Sequence, residues 1–246
     1  KAYTGDYGLV SVAAATGALP VYNTTDTYGA VKGSGTRTDA NSASIVLAIP
    51  MDGANNGTTF TDESATIKGS GSAKAITRNG STKTVTTQSK FYGSSGSFNG
   101  TTDYLQFANS TDFDFGSGNF TVEAWIYPTS STGRLLMGYD PINEFTFTSG
   151  ALEFGRSGSF TANLGATIST NTWQHVALVR NGSTVTGYVN GIAATSPYNI
   201  STNTVAFTTG TGTLIGRNHI SAGTATYFAG NIADFRVYKG VAKYTS

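Results

Sequence analysis

A chain of 246 residues with a formal net charge of +1 and only 12% charged residues carries no basic stripe able to displace phosphate counterions, so nucleic acid is excluded as an expected partner. The absence of Cys excludes disulfides, thiolate metal sites and cysteine nucleophiles. With 31 Gly, 5 Pro and no Gly-free stretch of helical length bearing a helical apolar period, the composition points to many short strands joined by polar turns. The longest apolar run, Ile45–Met51, is too short to span a bilayer.

Residues 1–42 stand apart. They hold a Gly33-Ser34-Gly35 break, a short alternating run at Leu9–Val12 and an extended piece, Leu19–Tyr22. Nothing here could build a core alone, and an extended backbone needs partners for its N–H and C=O groups. The expectation is an assembly arm in which Leu9, Val10, Ser11, Val12, Ala13, Ala14 and Ala15 add as a strand to a sheet edge, its own or a neighbouring copy's.

From residue 43 the pattern is that of one β domain running to residue 246. Ser44–Met51 reads as a buried strand, Phe60–Glu63 as a turn, and Ala65–Ile67, Ala75–Thr77 and Lys83–Thr87 as short strands. Tyr104–Phe107 follows, Phe113 and Phe115 flank a loop, and Asn119–Tyr127 is a strong strand. On it Phe120, Val122, Ala124 and Ile126 share one face, Thr121, Glu123, Trp125 and Tyr127 the other. Short strands are expected at Arg134–Tyr139, Glu144–Thr148, Ala151–Arg156 and Ser159–Leu164. Trp173–Gly191 is a hairpin, with a type I′ turn expected at Asn181-Gly182 and the same chemistry at Asn190-Gly191. Ala193–Ser196, Thr213–Arg217 and Gly230–Tyr238 complete the set.

Four blocks carry a family resemblance: Ser97–Phe107 (SFNGTTDYLQF), Asn119–Pro128 (NFTVEAWIYP), Trp173–Gly191 and Ile232–Tyr238 (IADFRVY). In this order they resemble the signature strands of laminin-G-like, concanavalin-A-like domains, and Val237–Ser246 is similar to the versions in phage and bacterial exterior proteins. The resemblance implies an all-β, two-sheet antiparallel jelly-roll sandwich from residue 43 onward, with the arm outside it. It also implies glycan binding, adhesion or a spacer role, with glycosidases among the relatives.

The chemistry is weighed residue by residue. Glycoside hydrolysis needs two carboxylates across the scissile bond. The four Glu here (Glu63, Glu123, Glu144, Glu153) show no E-x-D-x-x-E spacing, so no catalytic residue is assigned. His175 and His219 lack a nucleophile elbow to serve. The resemblance implies Ca²⁺ near Asp103 with Asp234 as partner, though Asp103 could instead bond turn amides. Trp125 and Trp173 are expected as core anchors, while Tyr28, Tyr139, Tyr198 and Tyr227 lie in loop-like surroundings where a sugar ring could stack.

The expectation is therefore a non-catalytic structural subunit of a bacterial or viral exterior, extracellular or on a virion surface, a homo-oligomer or polymer linked through its arm, with no cofactor other than this Ca²⁺. The alternative is a monomeric carbohydrate-binding or adhesion module.

Overall fold

A computed structural model describes residues 39–138, 143–156, 160–201, 203–207, 212–218 and 225–245. The arm residues Leu9–Ala15, and Tyr28, Tyr139 and His219, lie outside the described residues. In chain order the first strands are β1 (Ile45–Ile49), β2 (Ile76–Asn79), β3 (Lys83–Val85), β4 (Ser95–Asn99), β5 (Tyr104–Phe107) and β6 (Asp114–Gly116). Then come β7 (Phe120–Pro128), β8 (Gly133–Met137), β9 (Asn143–Thr148), β10 (Ala151–Arg156), β11 (Phe160–Thr167) and β12 (Gln174–Asn181). The last are β13 (Thr184–Val189), β14 (Ile192–Ala193), β15 (Tyr198–Asn199), β16 (Val205–Ala206), β17 (Thr213–Ile215) and β18 (Ala229–Lys239).

Two antiparallel sheets form a sandwich. One has the order β14-β13-β12-β7-β18-β4-β3, with β1 also on β18 and β15 also on β13, making nine strands. The other has seven, in the order β11-β10-β9-β8-β17-β5-β2. The alternation in β7 explains the layering: Phe120, Val122, Ala124 and Ile126 are at most 1% exposed and pack with Phe145 and Phe147 of β9 and Leu152 and Phe154 of β10. Removing one such side chain from water is worth about 1.5–3 kcal/mol, so this seam dominates the stability.

The unalternating run of β1 has a cause on each side. Val46, Leu47 and Ile49 join the sandwich core, while Ile45 and Ala48 pack with Tyr238 and Ile67 in a second cluster. Ile67 belongs to a short helix, α1 (Ser64–Lys68), where the sequence had suggested a strand at Ala65–Ile67. The Asp62 carboxylate decides this: it accepts from the Ser64 and Ala48 amides, both at 2.9 Å, and from the Ser64 hydroxyl at 2.8 Å. It thereby starts the helix against β1, which the β-branched Thr66 and Ile67 do not prevent. Gly69, at φ +75°, closes it.

The hairpin is where expected, with its turn types redistributed. Asn181 pairs with Thr184, so the loop is Gly182-Ser183; Gly182 has φ +59° and Asn181 has no positive φ. That is the arrangement with Gly first of a type II′ turn. The type I′ geometry sits at Asn190-Gly191, with φ of 52° and 79°. In β18 the register shifts between Ala233 and Arg236 around Asp234, whose φ is +51°. The bulge keeps Ile232, Phe235 and Val237 all in the core. Among the described residues no helix is long and apolar enough to cross a membrane.

Candidate functional site

Each sheet has an outer face, and the two are built differently. On the nine-stranded sheet, Glu123, Trp125 and Tyr127 of β7 and His175 of β12 point away from the core, opposite to what was expected of the tryptophans. Trp125 and Trp173 are half-buried on that face because the aliphatic set of β7 takes the core side. Phe91 meets Trp125 edge-on at 5.5 Å, Lys90 Nζ lies 4.4 Å from its ring centre, and Trp173 Nε1 donates to Gln88 Oε1 at 3.0 Å.

The C-terminal segment straps across the same face. Lys243 Nζ donates to Glu123 Oε1 and the Tyr244 hydroxyl to Glu123 Oε2, both at 2.6 Å. Thr121 Oγ1 donates to the Val241 carbonyl and accepts from the Lys243 amide. Ala242 and Tyr244 cover Ala177, Val179 and Tyr188. Burial would push the Glu123 carboxyl up, but His175, the Lys243 charge and the Tyr244 hydroxyl outweigh it and hold the group at about 2. The Tyr238 hydroxyl donates to Asp39 Oδ2 at 2.6 Å, which brings the first described residue to this network. Glu123 is thus an ionised structural anchor with its oxygens already engaged.

The outer face of the seven-stranded sheet is polar. On β5 Leu105 and Phe107 are buried, so Tyr104 and Gln106 face outward. A bulge in β8 between Arg134 and Leu136 sends both Leu135 and Leu136 into the core and leaves Arg134 outside beside Thr146. Gly216, at φ +89°, does the same for Arg217: a Cβ at Gly216 would point at Phe98 of the core, and the next residue turns outward. The Arg217 guanidinium carbon then lies 4.9 Å from the Tyr104 ring centre and 5.6 Å from that of Tyr227. The two rings are 6.4 Å apart at 49°. A bridge between Arg217 and Tyr227, with Asn218 N donating to the Thr226 carbonyl at 2.9 Å, holds the second ring in place.

The row continues across the strands. Arg134 Nη1 donates to Thr146 Oγ1, and Thr148 Oγ1 donates to Glu153 Oε2 at 2.8 Å. Glu144 sits two positions along β9 from Thr146, the residue paired with Glu153. Burial raises its carboxyl above the usual range; Arg134 opposes this and Glu153 adds to it. The Nε atoms of Arg134 and Arg217 are buried without a hydrogen-bond partner. Aromatic faces beside unspent donors and carboxylates form a surface suited to a polyhydroxylated ring.

Of the expected site residues, Tyr227 belongs to this cluster. Tyr198, on β15, packs instead against the core with its ring 6.3 Å from Phe154. Asp103 accepts from Ser81 N at 2.6 Å, Asn99 N at 3.0 Å and Thr102 Oγ1 at 3.2 Å, the turn-amide role. Asp234 pairs with Arg236 Nε at 2.8 Å, so the two carboxylates serve different partners. Among the described residues no three His, Cys, Asp or Glu side chains converge as a metal site. Tyr104, Arg134 and Arg217 were not anticipated; the alternation of Tyr104-Leu105-Gln106-Phe107 was the signal for the first. A separate cavity of about 370 Å³, lined by Gln174, Val189, Asn190 and Ile192 among others, contains no titratable side chain.

Residues 99–243 match the family described as the Concanavalin A-like lectin/glucanases superfamily. No curated protein matches the sequence. Among solved structures, the fold is similar to domain 4 of AbnA, an extracellular arabinanase from Geobacillus stearothermophilus solved with arabinotriose. That likeness has a TM-score of 0.55 at 18% identity, covering 81% of this chain and 94% of that one. The receptor-binding domain of botulinum neurotoxin D gives 0.55 at 14% identity, over 82% of this chain and 51% of that one. A botulinum neurotoxin type C structure, whose cell entry depends on two ganglioside molecules, gives 0.57 at 13%, over 83% and 50%. The chain therefore spans about half the length of the toxin chains it resembles.

Proposed function

The chain belongs to the concanavalin A-like lectin/glucanase superfamily, and on that premise we propose that it is a non-catalytic carbohydrate-binding module acting outside the cell. Its saccharide site is the outer face of the seven-stranded sheet. The observation that carries this is the Tyr104–Arg217–Tyr227 cluster, two rings 6.4 Å apart around one guanidinium. The apolar C–H face of a sugar packs on such rings, while its hydroxyls accept from guanidinium N–H groups. The arabinanase domain with its arabinotriose and the toxin with its gangliosides support a saccharide as the ligand class.

The way two of the carboxylates are engaged supports binding without turnover. Glu123 is locked into the strap, and Glu153 accepts from Thr148 on the same sheet as Glu144. The test is calorimetric titration of the full chain with neutral and acidic oligosaccharides, with an assay for new reducing ends in the same mixtures. Millimolar to micromolar binding is expected, without reducing ends. Tyr104→Ala and Tyr227→Ala should each weaken it by several-fold to about tenfold, and Tyr198→Ala should not. Unchanged affinity in both site variants would refute the site, and released reducing ends would refute the non-catalytic assignment.

A further inference from the structure

Resting on that saccharide site, we propose that its ligand is an acidic sugar, whose oxyanion is held by Arg217 with Arg134 beside it. Most other partly or fully buried cations are matched among the described residues; Lys90, over the Phe91 and Trp125 rings, is the exception. Arg236 meets Asp39 and Asp234, Lys243 meets Glu123, and Lys74 meets Asp112. The buried Arg180 donates to four backbone carbonyls. Arg217 differs: among the described residues its guanidinium meets only the Tyr104 and Tyr227 rings, and its Nε–H is buried without an acceptor.

A guanidinium offers five N–H donors in a planar fork. Ring faces attract its charge but accept few of those hydrogen bonds, so half-burial leaves it with unspent donors. Arg134 donates from Nη1 to Thr146 Oγ1 and also has a buried Nε–H without a partner. The ladder between β17 and β8 pairs Leu214 with Met137 and Ile215 with Leu136, so Arg217, just after β17, and Arg134, near the start of β8, lie toward the same end of these two strands. Two cations on one side of a site attract the same anion. A carboxylate or sulfate supplies two or three oxygens to the forks, and the flanking rings supply the platform for the sugar that carries it.

The order of charges across the sheet also sets the ligand's direction. Glu153 lies on β10, Glu144 on β9, Arg134 on β8, Arg217 just after β17 and Tyr104 on β5. The anionic group belongs at the Arg217–Tyr104 side. Hydroxyl-rich, uncharged units belong over β9 and β10, where Glu144 and Glu153 would repel a second anion.

The experiment uses the full chain and two matched pairs: an oligogalacturonate with its methyl ester, and a carrageenan oligosaccharide with its desulfated form. The acidic member of at least one pair should bind about tenfold or more tighter than its neutral match, with the margin shrinking as salt rises. Arg217→Gln should abolish the margin while retaining weak binding, and Arg217→Lys should keep part of it. Thermal melting of each variant separates loss of the site from loss of the fold. Equal affinity within both pairs overturns the acidic-sugar inference but leaves the saccharide site standing. Binding of neither pair nor any neutral oligosaccharide overturns both. A margin undiminished in either Arg217 variant overturns the role given to that residue.

Discussion

Glu123 and Lys243 lie 120 residues apart in sequence, yet the carboxylate and ammonium meet at 2.6 Å on the outer face of the nine-stranded sheet. Their side chains are 7% and 14% exposed, too little for water or salt to screen the pair as it would a surface bridge. The folded state holds the Glu123 carboxyl at about 2 against an ordinary value of 4.5. A depressed carboxylate pKa adds stability above the unfolded value, and that contribution disappears as pH falls through the folded one. Denaturation should therefore show a loss on the order of 3 kcal/mol between about pH 4.5 and 2 that traces to this group. Glu123→Gln should be less stable at neutral pH by a similar amount, since Lys243 is left without its partner. The gap between variant and parent should close over the same acid range; a constant gap would refute the assignment.

Glu144 predicts the opposite slope. Burial raises its carboxyl, with Glu153 adding and Arg134 opposing, so the folded state gives up this proton less readily than the unfolded chain does. A raised carboxyl pKa favours the fold at low pH and loses that advantage as pH climbs from the unfolded value through the folded one. Glu144→Gln should thus raise the melting temperature at pH 7 and change it little near pH 4. Melting curves of the two proteins at both pH values check this, and a destabilised variant at pH 7 would refute it.

These two glutamates also mark what the sequence could and could not disclose. The alternation of Phe120, Val122, Ala124 and Ile126 was enough to place β7 in a sandwich and Glu123 on its other face. The same alternation put Trp125 with Glu123, but large aromatic residues in strands resembling the family's signature invited a core assignment, and the aliphatic face won because the second sheet packs there. The Tyr104–Arg217–Tyr227 cluster was illegible for a different reason. It joins β5 to residues far along the chain, and Arg217 faces outward only because Gly216 takes φ +89°. The α1 helix, too, depends on the Asp62 carboxylate meeting β1 in space, which no local propensity encodes.

Gly230 gives a prediction about backbone rather than charge. It pairs with Pro128 in the β18–β7 ladder at φ +133°, and a Cβ there would lie 2.1 Å from the Tyr127 carbonyl oxygen. Neither group can yield without breaking the ladder between the two longest strands of the sheet. Gly230→Ala should cost about 3–4 kcal/mol in urea denaturation. Gly182→Ala, also at positive φ but with nothing within 4 Å, should cost only about 1–2 kcal/mol. Equal costs at the two positions would show that steric contact is not what makes Gly230 necessary.

Arg180 is 1% exposed and bonds to no carboxylate among the described residues. Its Nε donates to the Gly182 carbonyl at 2.9 Å, Nη1 to Gly116 at 3.2 Å and Asn203 at 2.7 Å, and Nη2 to Ser201 at 3.2 Å. One side chain therefore ties the end of β12 to β6 and to the Ser201 and Asn203 backbone. Arg180→Met would match its apolar stem but leave four partly covered carbonyls without their donor, at a cost of about 1–3 kcal/mol. Arg180→Lys keeps the charge without the fork and should fall between the two. Hydrogen exchange should show the loss first at the Asn203 amide, which donates to the Ile200 carbonyl and is held by this connection. Met-substituted protein with parental stability and unchanged protection there would show that the guanidinium does not organise the segment.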